Sequence, residues 1–256
     1  LKYRPKTFSG LIGQDIMAET IIKSIKMDKV PNDYLFSGSR GVGKTTAARI
    51  VAKALNCNNG VENLCQNEMC EHCSAISNSN HMDVLEMDAA SKTGIDDVRD
   101  LIEFSKYGPS VEKFKIFIIY EVHMLSKQAF NVLLKTLEEP PSYLKFIFAT
   151  TEVKKIPVTI ISRCQRFDLH RVSVRDLVTN LEKISRIENG LYINKNELSR
   201  KDEKSSFHTV FTTRYYFLRI ARAMLDYWQN DTCVGQYLKT IHKRRISKNG
   251  AQGNTE

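Results

Sequence analysis

The sequence predicts an α/β protein with a parallel β-sheet covered by helices on both faces. Short apolar or alternating runs, typical of strands, take turns along the chain with longer segments of helical periodicity. A glycine-rich loop joins the first predicted strand to the helix that follows it. Strands and helices in alternation require crossover connections, which place helices on both faces of a parallel sheet.

The five predicted strands differ in burial. Two segments are apolar almost throughout, which predicts strands buried on both faces, whereas "DVLEMD" alternates between apolar and polar residues. The predicted strands are "YLFSG" (34–38), "DVLEMD" (83–88), "KIFII" (115–119), "KFIFAT" (145–150) and "RFDL" (166–169).

Helices are predicted at 45–55, 94–106 and 127–139, and the last of these is stopped by Pro140 and Pro141. A further helix, "VRDLVTNLEKISRI", is predicted from its capping residues. Ser173 is followed three positions later by Asp176, a pair typical of a helix N-terminus.

Composition limits the class of protein. Hydrophobic residues make up 42% of the 256-residue chain and charged residues 26%, which is ordinary for a globular protein. The longest apolar runs fall far short of the roughly 20 residues that a membrane span needs. The chain opens without a signal-peptide pattern, so we expect a cytoplasmic protein with no membrane partner.

The net charge of +9 is unevenly distributed. Residues 191–256 hold 12 of the 38 Lys and Arg residues but only 6 of the 29 Asp and Glu residues. Either a solvated basic surface or a nucleic-acid contact is compatible with this excess, because clustered Lys and Arg neutralise phosphates. The densest run, "KRRISK" (243–248), has no interleaved aromatic residues.

The strongest chemical signal is "GSRGVGKT", which fits the phosphate-binding P-loop pattern at every fixed position. Its glycines let backbone N–H groups point at phosphate oxygens, Lys44 reaches the β- and γ-phosphates, and Thr45 ligates Mg²⁺. The following helix directs its positive end at the same phosphates. The predicted nucleotide-binding residues are Gly38, Ser39, Arg40, Gly41, Val42, Gly43, Lys44, Thr45 and Thr46.

Four cysteines predict a structural zinc site within residues 57–80. The C-x₂-C pair holds two thiolates near one ion, and two more thiolates complete a tetrahedral shell. Buried thiols without metal are the alternative, and His72 or His81 could replace one cysteine. A closed four-thiolate shell leaves no position for a reacting water. The predicted ligands are Cys57, Cys65, Cys70 and Cys73.

Five segments together resemble the gamma/tau subunit of bacterial DNA polymerase III, an AAA+ ATPase that loads the sliding clamp on primed DNA. They are "LKYRPKTFSGLIGQ", "YLFSGSRGVGKTTAARIVAKALNC", "MDAASKTGIDDVR", "EVHMLSKQAFNVLLKTLEEPP" and "FATTEVKKIPVTIISRCQRF". The resemblance extends from about Lys2 to Asn189. It implies an AAA+ fold that binds ATP and Mg²⁺, with a zinc module inserted after the P-loop helix. It also implies clamp-loader subunits, the clamp and the polymerase holoenzyme as partners.

The resemblance also assigns roles around the nucleotide. Arg4 and Pro5, with Gly13 and Gln14, match the N-terminal segment that packs on adenine. Thr151, or its neighbour Thr150, matches the polar residue that senses the γ-phosphate.

Two charged residues match the family's hydrolytic machinery. Glu121 matches the residue that polarises the attacking water. Arg163, in "SRC", matches an arginine finger that acts in trans on the ATP of a neighbouring subunit.

The chain departs from the family pattern in two places. Tyr120 stands where the family has an aspartate, and no run resembling the family's lid motif follows residue 195. Arg219 or Arg222 could serve in place of the missing lid arginine. The departures lead to the hypothesis that the gene is a truncated or frame-shifted copy.

The sequence thus predicts three parts and two functions. The parts are an AAA+ nucleotide-binding domain (1–172), the start of a helical lid (173–195) and an atypical basic segment (196–256). The first function is an ATP-binding clamp-loader subunit in DNA replication. The second is a hydrolysis-deficient nucleotide-binding or structural module, because Tyr120 replaces the aspartate.

Overall fold

The fold is taken from a computed structural model that describes residues 3–65, 69–173, 176–177, 179–180 and 183–184. The chain divides into two compact units. One unit spans Pro5–Arg171 and contains the whole sheet. The other combines Leu1–Arg4 with Val172–Glu256.

The first unit is built on a five-stranded sheet with the order β2-β3-β4-β1-β5, in which every neighbouring pair is parallel. All five predicted strands are confirmed. Because the strands are parallel, their carboxyl ends lie along one edge of the sheet. The strands are β1 (Asp33–Ser37), β2 (Val84–Asp88), β3 (Lys115–Tyr120), β4 (Leu144–Thr150) and β5 (Gln165–Asp168).

Six α-helices belong to this unit, and three of them, α2, α4 and α5, confirm the predicted helices. The first helix was not predicted, although Met17, Ala18 and Ile21 are buried along one of its faces. The helices are α1 (Asp15–Lys26), α2 (Lys44–Asn56), α3 (Glu71–Ser77), α4 (Ile95–Ser105), α5 (Lys127–Glu138) and α6 (Val158–Ile161). Short 3₁₀ turns cover Phe8–Gly10, Val122–Met124 and Val153–Lys155.

The core has one hydrophobic layer on each face of the sheet. Successive strand residues enter opposite layers, as the two-residue period of a strand requires. Ile116 and Ile118 of β3 pack with residues of α1, α2 and α3. Phe117 and Ile119 pack with residues of α4 and α5. The predicted sheet with helices on both faces is therefore confirmed.

The second unit contains the predicted capping residues. The Asp176 amide donates to Ser173 Oγ (3.1 Å), and the Ser173 hydroxyl donates to Asp176 Oδ2 (2.6 Å). Residues 176–177, 179–180 and 183–184 are helical, which agrees with the predicted helix. The predicted basic segment, with Arg219 and Arg222, lies outside the described residues. Among the described helices, none has the length and apolar content needed to cross a bilayer.

Candidate nucleotide-binding site

The carboxyl edge of the sheet gathers the predicted nucleotide-binding residues. Strand β1 ends at Ser37 and continues directly into the loop that starts at Gly38. Ser37 is in register with Thr150 at the end of β4, and β3 ends beside β4. Parallel strands bring these ends together although Ser37 and Thr150 are more than 100 residues apart in sequence.

Glycine is required at two points of this loop. Gly38 has φ +147°, and a Cβ there would lie 2.7 Å from the Leu169 carbonyl oxygen. Gly43 has φ +101° and immediately precedes α2. Side chains at either position would strain the backbone, so these glycines allow the tight turn into the helix.

Lys44 lies inside the loop that it closes. Its ammonium group donates to the carbonyl oxygens of Gly38 and Ser39, both at 2.9 Å, and the residue is buried. Burial lowers the pKa of Lys44, an effect that the carboxylate of Glu121 opposes and the positive charge of Arg40 reinforces. An anion in the loop would stabilise the charged ammonium group.

The first turn of α2 supplies the other phosphate-binding groups. The first helical hydrogen bond of α2 runs from the Ala47 N–H to the Gly43 carbonyl oxygen (2.8 Å). The amides of Lys44, Thr45 and Thr46 precede this bond along the helix. Amides in the first turn have no partner within the helix, and together with the helix dipole they favour an anion. Loop, lysine and helix end therefore suit a polyphosphate.

Glu121 is held by the residue that follows β4. Its Oε2 accepts from the Thr151 amide (3.2 Å) and the Thr151 hydroxyl (3.0 Å). Glu121 itself has φ +46°, in the left-handed region, which is unusual for a residue with a Cβ. The structure thus brings together two of the predicted site residues from the ends of β3 and β4.

The structure also separates Thr151 from its neighbour. Thr150 is fully buried, and its Oγ1 contacts His123 Nδ1 (3.0 Å) and accepts from the Glu152 amide (3.0 Å). Thr151 is the more accessible of the pair and is the one that contacts Glu121. Sequence reasoning missed His123, whose only signal is its place two residues after Glu121.

Tyr120 is part of a polar cluster that no sequence pattern indicated. Its hydroxyl donates to Glu86 Oε2 (3.0 Å), and Arg49 donates to both oxygens of the same carboxylate (2.8 and 2.7 Å). Burial and the negative charge of Glu86 raise the pKa of Tyr120, so the phenol is neutral at pH 7. Its oxygen is therefore engaged with β2 and α2.

Arg163 follows α6 and is partly exposed. One guanidinium nitrogen forms an ion pair with Glu138 Oε1 (3.0 Å), and another donates to the Thr159 carbonyl oxygen (2.6 Å). These contacts hold the side chain against α5 and α6 of its own unit. Its role in trans stays a prediction.

The N-terminal segment has a structural role that the resemblance did not indicate. The Gln14 amide group donates to the His170 carbonyl oxygen (2.8 Å) and accepts from the His170 N–H (3.4 Å). Gly13, with φ +68°, precedes it. Arg4 and Pro5 fall in different compact units. Contact of this segment with adenine stays a prediction.

The four predicted cysteines converge on one point. Their sulfur atoms all lie within 4.8 Å of one another, and Cys57 Sγ is 3.6 Å from Cys65 Sγ. That separation excludes a disulfide, whose sulfurs are about 2.05 Å apart. Four thiolates around zinc at about 2.3 Å would be about 3.8 Å apart, so the donor set fits zinc. His72 and His81 form a different cluster with Glu112, so neither replaces a cysteine.

Neighbouring groups shift the pKa values of these thiols in opposite directions. A hydrogen bond from the backbone at Cys70 lowers the pKa of Cys65 to about 7, whereas burial raises the pKa of Cys73. Asn59 donates to Cys65 Sγ (3.3 Å). The buried Lys53 places a positive charge near the sulfurs and donates to the Lys6 carbonyl oxygen (2.9 Å).

Comparisons with known proteins agree with this arrangement. A model of the family described as DNA polymerase III, delta subunit, matches residues 13–173. The chain is 47% identical over 188 residues to DNA polymerase III subunit tau/gamma of Haemophilus influenzae, covering 73% of this chain and 27% of the relative. It is 50% identical over 183 residues to the tau subunit of Bacillus subtilis, covering 71% of this chain and 32% of the relative.

A shorter relative and a solved structure extend the comparison. The gamma subunit of Buchnera aphidicola is 44% identical over 207 residues, covering 80% of this chain and 55% of the relative. The chain thus spans about a quarter to about half of the length of these relatives. The Holliday junction branch migration motor RuvB of Thermotoga maritima shares the fold, with a TM-score of 0.53, 18% identity and coverage of 74% of this chain and 56% of that one. Because the family model covers more than half of the chain, the protein belongs to the bacterial DNA polymerase III subunit family that includes the gamma/tau subunits.

Proposed function

We propose that this protein is an ATP-binding subunit of a bacterial clamp loader, in which ATP binding and hydrolysis drive loading of the sliding clamp on primed DNA. The observation that carries the proposal is the loop from Gly38 to Thr45, with Lys44 inside it and the first turn of α2 facing the same space. Relatives named gamma or tau support the assignment to replication. Its partners are other clamp-loader subunits, the clamp, primed DNA and the polymerase holoenzyme, in the cytoplasm.

Binding and hydrolysis make different demands on the site. The loop amides and Lys44 hold phosphates, and Thr45 would ligate Mg²⁺, which takes few protein ligands and keeps several waters. Bound Mg²⁺ would neutralise charge on the phosphates. Glu121 would orient a water at the γ-phosphate, and its hydrogen bond with Thr151 supports this role.

Tyr120 weakens the case for fast hydrolysis. A neutral phenol cannot replace an aspartate near a metal, and its hydroxyl is engaged by Glu86. Water held by Glu121 then faces a γ-phosphate whose metal is poorly fixed, and small misplacements of reacting groups are costly. We therefore propose that the chain binds ATP and hydrolyses it slowly or not at all.

Replacing Tyr120 with aspartate is expected to raise the rate of Mg²⁺-dependent ATP hydrolysis while leaving ATP affinity the same or higher. The carboxylate restores an acidic group at the end of β3, near the position where Thr45 would ligate Mg²⁺. The measurement is a steady-state ATPase assay of both forms in the assembled clamp loader, with and without clamp and primed DNA.

Tyr120→Phe is the matched control for this comparison. It keeps the ring and removes only the hydroxyl, with its contacts to Glu86 and Arg49, so it should leave the hydrolysis rate close to that of the unmodified protein. If the unmodified protein and Tyr120→Asp hydrolyse ATP equally fast, the tyrosine is tolerated and the second half of the proposal is wrong.

We also propose that one structural zinc ion binds the four clustered cysteines. The cluster links the end of α2 at Cys57 to the first turn of α3 at Cys70 and Cys73. A closed thiolate shell supports folding of such a module and takes no part in hydrolysis. Chelation should therefore loosen residues 57–80 and spare the sheet.

Cys70→Ser is expected to remove the thiolate-bound zinc and to increase hydrogen exchange within residues 57–80. Losing one of four thiolates leaves an incomplete shell, and metal binding is coupled to folding in small modules. Metal analysis combined with hydrogen–deuterium exchange measures both effects. Cys164→Ser is the matched control, because Cys164 lies outside the cluster. Thiolate-bound zinc that survives in Cys70→Ser would contradict the assignment.

A further inference from the structure

A second cluster of metal-binding side chains lies beside the cysteines but shares none of their sulfurs. It consists of His72 on α3, His81 before β2 and Glu112 before β3. His72 Nδ1 lies 2.5 Å from Glu112 Oε1 and 3.3 Å from His81 Nε2, and His81 Nε2 lies 3.4 Å from Glu112 Oε1. The three side chains are largely buried, with exposed fractions of 18%, 6% and 6%.

The hydrogen bonds of this cluster leave two electron-rich atoms, His72 Nδ1 and Glu112 Oε1, close together. The Asp83 amide donates to His81 Nδ1 (3.0 Å), so a neutral His81 carries its proton on Nε2, next to His72 Nδ1. Glu112 Oε1 is buried and accepts no hydrogen bond of good geometry from the described residues. Glu112 Oε1 and His72 Nδ1 lie 2.5 Å apart, a separation that is unfavourable unless a proton or a metal ion lies between the two atoms.

Asp83 holds two of these residues in place. Its carboxylate accepts the amides of Ser110 (2.8 Å), Val111 (2.9 Å) and Glu112 (3.2 Å), while its own amide contacts His81. One buried side chain therefore aligns the segments before β2 and β3. The carboxylate of Asp83 thus fixes the segment that carries Glu112, as supporting groups do around metal ligands.

We propose that His72 Nδ1, His81 Nε2 and Glu112 Oε1 bind a second divalent transition-metal ion, of which Zn²⁺ is the first choice. Two imidazoles and a carboxylate are a donor set that suits such ions. Ligands at about 2.0–2.1 Å in tetrahedral geometry are about 3.3–3.4 Å apart, which matches two of the three separations. The third, between His72 and Glu112, widens when the ion enters.

Ion binding changes the protonation of His81. Coordination through Nε2 places its proton on Nδ1, so the hydrogen bond from the Asp83 amide is exchanged for a metal–nitrogen bond. The bound ion joins α3 to the segments that lead into β2 and β3. It therefore ties the cysteine-bearing module to the sheet, and a fourth position is left for water.

Cobalt titration of the metal-free 256-residue chain tests the proposal, because cobalt bound to thiolates gives a strong charge-transfer absorption that imidazole and carboxylate ligands lack. We expect two ions per chain, only one of which produces that absorption. Glu112→Gln and His72→Ala should each lose one equivalent while keeping the thiolate absorption. Glu103→Gln and His170→Ala, at exposed positions outside both clusters, should keep two ions.

Cys70→Ser supplies the reciprocal result, since it should lose the thiolate absorption and retain one ion. Circular dichroism checks that each variant is folded. A single ion per unmodified chain, all of it thiolate-bound, would overturn the proposal and leave a proton as the positive charge in the cluster. Binding of two ions per chain by both Glu112→Gln and His72→Ala would also overturn the proposal.

Discussion

Lys44→Ala is expected to abolish ATP binding or weaken it by about 100-fold or more. The ammonium group is buried in the loop and is the only side-chain charge that the P-loop pattern directs at the β- and γ-phosphates. Hydrogen bonds to charged groups contribute about 1.5–3 kcal/mol each. Losing one Lys44 bond to each of the two phosphates therefore costs roughly 3 kcal/mol or more of binding free energy. A fluorescent-nucleotide titration of the purified chain measures the effect.

Lys44→Ala must be compared with a variant in which a lysine outside the site is replaced. Lys135→Ala, on the exposed face of α5, should bind ATP like the unmodified protein. Lys44 also bonds to the Gly38 and Ser39 carbonyl oxygens, so the thermal stability of the variant must be recorded. Unchanged affinity in a folded Lys44→Ala protein would refute phosphate binding by this loop.

Arg163→Ala is expected to leave ATP binding to its own chain nearly intact and to lower hydrolysis only in the assembled complex. An arginine finger supplied by a neighbouring subunit can accelerate phosphoryl transfer by about 10³-fold or more. Because Tyr120 is expected to slow hydrolysis in this chain, the neighbouring subunit in the assay should carry Tyr120→Asp or an intact acidic site. Single-turnover hydrolysis in such mixed complexes measures the effect.

Glu138→Gln separates the finger from its present contact. It removes the ion pair at Arg163 but keeps the guanidinium group, which still bonds to the Thr159 carbonyl oxygen. We expect this variant to keep most of the activity that Arg163→Ala loses. An equal loss of hydrolysis by Arg163→Ala in the isolated chain and in the complex would exclude action in trans.

Features encoded by neighbouring residues were predictable from the sequence. The strand at 115–119 contains a continuous apolar run at 116–119, and burial on both faces of a parallel sheet favours such a run. The loop at 38–45 is a contiguous motif whose glycines meet backbone demands that no other residue satisfies. Cysteine spacing likewise indicated the four-sulfur cluster that the fold brings together.

Contacts between distant segments were decided only by the tertiary structure. The Tyr120 hydroxyl reaches Glu86 and Arg49 because β2 and β3 are neighbours in the sheet and α2 packs on one of its faces, which no local pattern reveals. Burial distinguishes Thr150 from Thr151, since one side chain faces the core and the next faces the carboxyl edge.

The same distinction applies to the metal sites. The sequence by itself predicted that four closely spaced cysteines cluster, because their spacing limits where the chain can place them, but it left His72 and His81 as alternatives to one of them. It could not associate Glu112 with His72 and His81, since about 30 residues, including β2 and α4, separate Glu112 from His81. Only packing of the segment before β3 against α3, with Asp83 holding the loop amides, brings that carboxylate to the histidines.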